Sequence, residues 1–180
     1  MLINLRDLYN NVFDELQAAG YLPRKQNVSV GIKVNSYDVD IIPAKRQSQH
    51  GNDHILYRRK ANTWTKTNIS LHISLVRNSN RTNEIRLIKL WRDQKGINFP
   101  SFYLELVTIK VLSHASCSNI ADNVLKVFSY LKNYFVDSYF VDPANSNNVI
   151  SDDISISEKN TIVREARKAL SANNWNQIIK

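Results

Sequence analysis

The sequence predicts an α+β chain, with strands gathered in the first third and helices filling the rest. Two observations carry that expectation. Between residues 28 and 41, apolar residues alternate with polar ones, the period of a half-buried strand. From about residue 68 they recur at spacings of three and four, the period of an amphipathic helix. No repeat, low-complexity tract or obvious linker interrupts the 180 residues. We therefore read an α/β part over residues 1–66 and a helical part over residues 67–180.

The elements follow in order. Leu2, Leu5, Leu8, Val12 and Leu16 predict an opening helix, stopped by Gly20 with Pro23 just beyond. Val28, Val30, Ile32 and Val34 alternate with Ser29, Gly31 and Lys33 and predict a strand, and Asn35-Ser36 supplies a tight turn. A second strand then places Val39 and Ile41 on one face and Asp38 and Asp40 on the other, and Pro43 ends it. Residues 44–53, AKRQSQHGND, read as a polar loop, and HILYRR and TWTKT as short strands. SLHISLVRN, NEIRLIKLWRD, PSFYLELVTIKVLSH and ADNVLKVFSYLKNYF are four expected helices. The third is apolar on nearly every face, so it belongs at the centre. YFVDPANSNNVI is extended, with turns marked by Asp-Pro and Asn. Ser155 and Glu158 stand at capping-box spacing at the head of a last helix.

Composition narrows the chemistry. A hydrophobic content of 43% is enough for a packed core. The net charge of +8 favours an anionic partner: a nucleotide, nucleic acid or an acidic surface. No apolar run approaches the ~20 residues that span a bilayer. The N-terminal residues lack the basic-then-apolar order of a secretory signal. No membrane association is expected, and the cytoplasm is the expected compartment. The single cysteine, Cys117, provides neither a disulfide framework nor a thiolate zinc site. His50, His54, His72 and His114 show no metal-ligand spacing.

Three stretches could carry function. In YDVDIIPAKRQ, residues 37–47, Asp38 and Asp40 share one strand face and repel each other unless a cation or donor intervenes. Magnesium, which prefers hard oxygen ligands, would serve; a solvated edge strand would also explain them. In NEIRLIKLWRD, Ile85, Ile88 and Trp91 share one face, and Arg86 and Lys89 lie together on another. They form either a phosphate clamp or a solvated basic face on which Asp93 pairs with Lys89 for ~0.3–0.5 kcal/mol. In SFYLEL, Ser101 lies near a helix N-terminus, which attracts anions. Phe102 and Tyr103 either stack on a base, for roughly 1–3 kcal/mol, or pack in the core.

Taken together, three segments resemble the template-independent nucleotidyltransferases related to 2′-5′-oligoadenylate synthases and to the bacterial cyclic-oligonucleotide synthases (CD-NTases). They are Val-Asp-Ile-Ile-Pro-Ala followed by Lys-Arg, then Ile-Arg-Leu-Ile-Lys-Leu-Trp, then Ser-Phe-Tyr-Leu-Glu-Leu. The resemblance implies a partial polymerase-beta-like sheet followed by a helical half. It implies that Asp40 is a catalytic, metal-binding carboxylate with Asp38 as its neighbour, and that Mg2+ is the cofactor. Lys89 and Arg86 would hold the triphosphate of a nucleoside triphosphate such as ATP. Ser101 would touch phosphate, and Phe102, with Tyr103 as a second candidate, would stack on the base. Glu105 would be structural, with a partner that the sequence does not name. Asp142, Asn145 and Asn148 match a late element of the bacterial members and would form a hydrogen-bonded turn.

The family's Gly-Ser motif, and its earlier Asp-x-Asp strand that supplies the other two metal carboxylates, have no counterpart in these residues. The expectation is a C-terminal portion of such an enzyme, inactive or nearly so alone, arising from a truncated or split gene, an internal start or a two-chain enzyme. Its exposed sheet edge and apolar face would either meet a partner, such as a chain supplying the missing motifs, or make it prone to association. The whole enzyme would make cyclic or linear oligonucleotide signals in anti-phage defence. A non-catalytic nucleotide- or nucleic-acid-binding module of the same fold, or a remnant without function, are the alternatives.

Overall fold

Alternation and helical periodicity become two compact units, Met1–Leu71 and His72–Lys180, in a computed structural model that describes residues 4–180. The division falls inside a helix rather than ahead of it.

In the first unit, helix α1 runs Leu5–Ala18, capped by the Asn4 side chain accepting from the Asp7 amide. Leu2 lies outside the described residues. Gly20 adopts a left-handed φ of +86°, which ends the helix as expected. Three antiparallel strands follow: β1 (Arg24–Lys25), β2 (Val30–Val34) and β3 (Tyr37–Ile41), in that spatial order. The β2–β3 hairpin turns at Asn35, whose φ of 55° is one Asn tolerates. A second sheet pairs β4 (Ala44–Arg46), β5 (His54–Arg58) and β6 (Thr63–Thr67). The polar loop expected at 44–53 is thus partly a strand. Residues 44–46 carry no alternation, and only their pairing with β5, Ala44 to Leu56 and Arg46 to His54, makes them one.

The core of this unit is small: Tyr9, Val30 and Tyr57 are buried together, with Leu5, Val12, Phe13 and Leu16 packed against them, and Ile32 and Leu56 are buried as well. Tyr9 anchors it. Its ring meets Tyr57 edge-on with centroids 5.7 Å apart, and its hydroxyl donates to the carbonyls of Gln26 and Ser29, each at 2.9 Å. Leu22, Tyr37 and Val39 are exposed on this unit.

Helix α2 (Ile69–Asn78) crosses into the second unit, which continues with α3 (Thr82–Gln94), α4 (Ser101–Val111) and α5 (Ile120–Asn133). A short hairpin, β7 (Val141–Asp142) and β8 (Asn145–Val149), precedes α6 (Ile156–Leu170). The capping box at Ser155 and Glu158 is formed, both halves present. Helix α4 is central as expected, burying Tyr103, Leu104, Leu106, Val107 and Thr108. Ile85, Ile88 and Trp91 form the buried face of α3. Trp91 meets Phe128 of α5 at 4.9 Å between centroids. Each such fully buried side chain contributes roughly 1.5–3 kcal/mol by area.

One polar network runs through this core. Arg81 donates to Glu84 and to the carbonyls of Leu112, Ala115 and Ser116, which close the α4–α5 connection. Asn123 Nδ2 donates to Glu84 Oε1 at 2.9 Å and to the Ser116 carbonyl at 2.7 Å. Arg81, Glu84 and Asn123 are all buried. Cys117, exposed, lies in the same connection. No helix among the described residues is long and apolar enough to cross a membrane.

Candidate functional site

The carboxylate strand answers its own charge problem locally. Asp38 and Asp40 project from β3, an edge strand, and their partners come from around β1. Arg24 donates to Asp38 Oδ1 at 2.7 Å, and Gln26 Nε2 donates to Asp40 Oδ1 at 2.7 Å. Gly31, paired with Asp40 across the ladder, makes room for this: a Cβ there would sit 2.7 Å from Gln26 Nε2. Both Arg24 and Asp38 are more than half exposed, so that ion pair contributes at most about 1 kcal/mol.

The two carboxylates have the oxygen-donor chemistry that magnesium prefers, and Oδ2 of each has no partner among the described residues. No cluster of three or more His, Cys, Asp or Glu stands with them among the described residues. They therefore fit magnesium as part of a ligand set, not as a whole one.

In the second unit, the cations of α3 follow one another at spacings of three, and two of them, Lys89 and Arg92, reach α4. Arg86 is exposed and makes no hydrogen bond or ion pair among the described residues. Lys89, one turn on, donates to Glu105 Oε1. Glu105 thereby gains the partner that the sequence could not name. The pairing of Lys89 with Asp93 does not form, because Asp93 is held by Arg92 Nε at 2.8 Å. Arg92 is the third member of the row and was not singled out from sequence. Its Nη1 donates to Ser101 Oγ and to the Phe99 carbonyl, each at 2.9 Å. The i, i+3, i+6 spacing from Arg86 was the signal that could have found it.

Ser101 opens α4 behind Pro100, a cap residue with no side-chain acceptor, so no side chain caps the first-turn amides. Phe102, half-buried, lies against His72 with centroids 4.1 Å apart and planes at 32°. Tyr103 does not join them. Its ring is fully buried among Phe99, Phe135 and Phe140, where no face is open to a base, and burial pushes its phenol pKa up.

Beside this row lies a cavity of about 370 Å³, lined by His72, Ile73, Val76, Arg77, Thr82 and Glu105. Its His72 wall is fixed by the late turn. Asp142, itself buried, accepts from His72 Nε2 at 2.7 Å, the Ala144 amide at 2.8 Å and Asn148 Nδ2 at 3.2 Å. Asn145 Oδ1 accepts from the Asn147 amide. Burial alone would raise the Asp142 carboxyl, but these donors outweigh it and hold its pKa below the usual range. A carboxylate held low stabilises the fold above its unfolded pKa, and that contribution fades as pH falls through the folded one. Asp142→Asn should therefore lower the urea midpoint at neutral pH and flatten its decline below the ordinary Asp range. Parallel curves for variant and wild type would show that the turn does not depend on this charge.

Asp38 and Asp40 belong to the first unit; Arg86, Lys89, Ser101 and Phe102 belong to the second. Comparison with known proteins adds the following. No protein-family model matches the chain. Over 198 aligned positions it is 24% identical to the cyclic AMP-AMP-AMP synthase of Escherichia coli (strain MS 115-1). The alignment covers 99% of this chain and 61% of that protein, falling on its C-terminal part. Among solved structures, the E. coli MS115-1 CdnC:HORMA-deltaN complex matches with a TM-score of 0.74 at 21% identity, covering 97% of this chain and 71% of that one. CdnC with ATP matches with a TM-score of 0.75 at 20% identity, covering 98% and 72%. The chain is thus similar, over nearly its whole length, to about three fifths of that synthase, the resemblance its motifs suggested, and it shares the fold of the matching part of the CdnC structures.

Proposed function

We propose that this chain, similar to part of an oligonucleotide synthase, carries the phosphate-binding half of a nucleotidyltransferase site. The observation that supports the reading most is the cation row of α3 set against the start of α4. Arg86 is free to meet an anion, Lys89 sits one turn away, and the first-turn amides of α4 carry no side-chain cap. Phe102, backed by His72, supplies an aromatic surface for a base. The substrate class is a nucleoside triphosphate, with ATP favoured by the relative solved with ATP.

Asp40, with Asp38, would hold one side of a magnesium ion. When bound, that ion would stabilise charge on the phosphates and activate the attacking ribose hydroxyl. Gln26 fixes the Asp40 carboxylate, and Arg24 offsets the charge of Asp38 beside it. These 180 residues contain no Gly-Ser pair, so the remaining phosphate and metal groups must come from elsewhere, and the residues alone would not complete nucleotidyl transfer. A protein partner fits this reading, as CdnC is seen with HORMA-deltaN. Synthesis of cyclic or linear oligonucleotide signals in the cytoplasm, for defence against phage, is the corresponding role for the whole enzyme.

A second reading, a binding module without catalysis, is favoured by the net charge of +8 and by the Arg24 pairing of Asp38. Titration of ATP and GTP with and without magnesium separates the two. The first reading expects saturable, magnesium-dependent binding, weakened about tenfold or more by Lys89→Ala or Arg86→Ala, as for a lost charged hydrogen bond. Binding indifferent to both substitutions would remove the α3 row from the site. Strongly salt-dependent binding to many nucleic acids would favour the module.

A further inference from the structure

We propose that Glu105 is an internal competitor for Lys89, so that a polyphosphate enters this site by exchanging with a carboxylate already in place. The inference rests on the reading of Lys89 as a phosphate contact and names how that contact is controlled. Three observations carry it. First, the Lys89 ammonium is engaged by Glu105 Oε1 although Lys89 stands in a row of cations, and the pair is partly shielded, with side chains 30% and 16% exposed. Second, the neighbours in the row are in different states. Arg86 is unpaired and exposed, while Arg92 is committed to Ser101, Phe99 and Asp93. The row therefore has one open cation, one latched and one structural. Third, Glu105 also lines the cavity of about 370 Å³ that His72, Arg77 and Thr82 border.

The exchange follows from this geometry. An arriving phosphate is held first by Arg86, then takes Lys89 from Glu105. The released carboxylate turns into a cavity whose walls include a guanidinium, an imidazole and a hydroxyl. Its charge is not stranded, and no covalent bond is made or broken. Glu105 thus sets a threshold: a ligand with enough phosphate charge opens the pair, and an uncharged nucleoside does not.

The test is titration of ATP and of inorganic tripolyphosphate into the full chain and its Glu105→Gln, Lys89→Ala and Lys89→Ala/Glu105→Gln variants. Glu165→Gln serves as a control for net charge, because Glu165 lies on α6 and pairs with Arg164 and Lys168. Glu105→Gln should bind both ligands about two- to fivefold more tightly, the scale of a partly exposed ion pair. The double variant should bind no better than Lys89→Ala. Equal or weaker binding by Glu105→Gln, with loss in Lys89→Ala, overturns the latch and leaves the phosphate reading standing. An equal gain in Glu165→Gln also overturns it. Unchanged binding by Lys89→Ala, or no binding by any form, overturns the phosphate reading and the latch together. Should Glu105→Gln fold poorly, the wild type still decides. The ¹⁵N signal of the Lys89 ammonium should shift on adding tripolyphosphate, and an unmoved signal during saturable binding overturns the exchange.

Discussion

Glu84→Ala should cost the helical unit about 3–5 kcal/mol, a large share of the stability of a domain this size. The carboxylate does two things at once. It balances the buried Arg81 guanidinium, and it accepts from Asn123 at the head of α5. Without it, Arg81 remains charged and buried, holding carbonyls from the α4–α5 connection but no counter-ion. Removing one partner of a buried pair costs more than the pair was worth, because the survivor has already been desolvated. Glu84→Gln keeps the shape and an acceptor for Asn123 while losing the charge, so it should fall between wild type and Ala. Urea denaturation followed by the fluorescence of the buried Trp91, in a Trp64→Phe/Trp175→Phe background, measures the cost in the same unit. A loss under about 1 kcal/mol for Glu84→Ala would falsify the claim that this network ties α3, α4 and α5 together.

Tyr9→Ala should unfold the first unit outright. That unit rests on a small buried core, Tyr9, Val30, Ile32, Leu56 and Tyr57, with half-buried side chains around it, and Tyr9 is more deeply buried than the other tyrosine. Removing a large aromatic from a core costs about 3–5 kcal/mol, and a core of this size supplies little more than that. Tyr9→Phe isolates the hydroxyl. It leaves the packing and removes one donor from each of the Gln26 and Ser29 carbonyls, which keep the Arg59 guanidinium and the Gln26 amide, so it should cost only about 0.5–1.5 kcal/mol. The consequence reaches Asp40, because Gln26 is both a Tyr9 acceptor and the donor that fixes Asp40. Hydrogen exchange across β2 and β3 gives the readout. Rapid exchange throughout those strands in Tyr9→Ala, with intermediate protection in Tyr9→Phe, is the expected order. Protection equal to wild type in Tyr9→Ala would mean that the unit is held by something other than this core.

What was legible in the sequence was what repeats along it. The faces of α1 and α3, the centrality of α4, the β2–β3 hairpin and the capping box at Ser155 all follow from periodicity or from a residue pair three apart. What was not legible depends on partners far away in sequence. β4 is a strand only because β5 pairs with it. Glu105 finds Lys89 sixteen residues back, and Asn123 finds Glu84 thirty-nine residues back. Tyr9 was passed over because leucines and valine alone defined the expected helical face. In the candidate site, spacing placed Arg86 one turn from Lys89 on α3, and Ser101 at the head of α4. That Lys89 is engaged, that Ser101 is held by Arg92, and that Tyr103 belongs to the core could not be read from it. Apolar and ligand-facing aromatics look alike in a helix whose every face is apolar.

Cys117 is the chain's single thiol, and it sits exposed in the connection whose carbonyls Arg81 gathers. The molecule thus carries its own attachment point for a maleimide dye, with no residue to delete first and no second labelled species to separate. A probe placed there would sense loosening of the α4–α5 junction at single-molecule dilution.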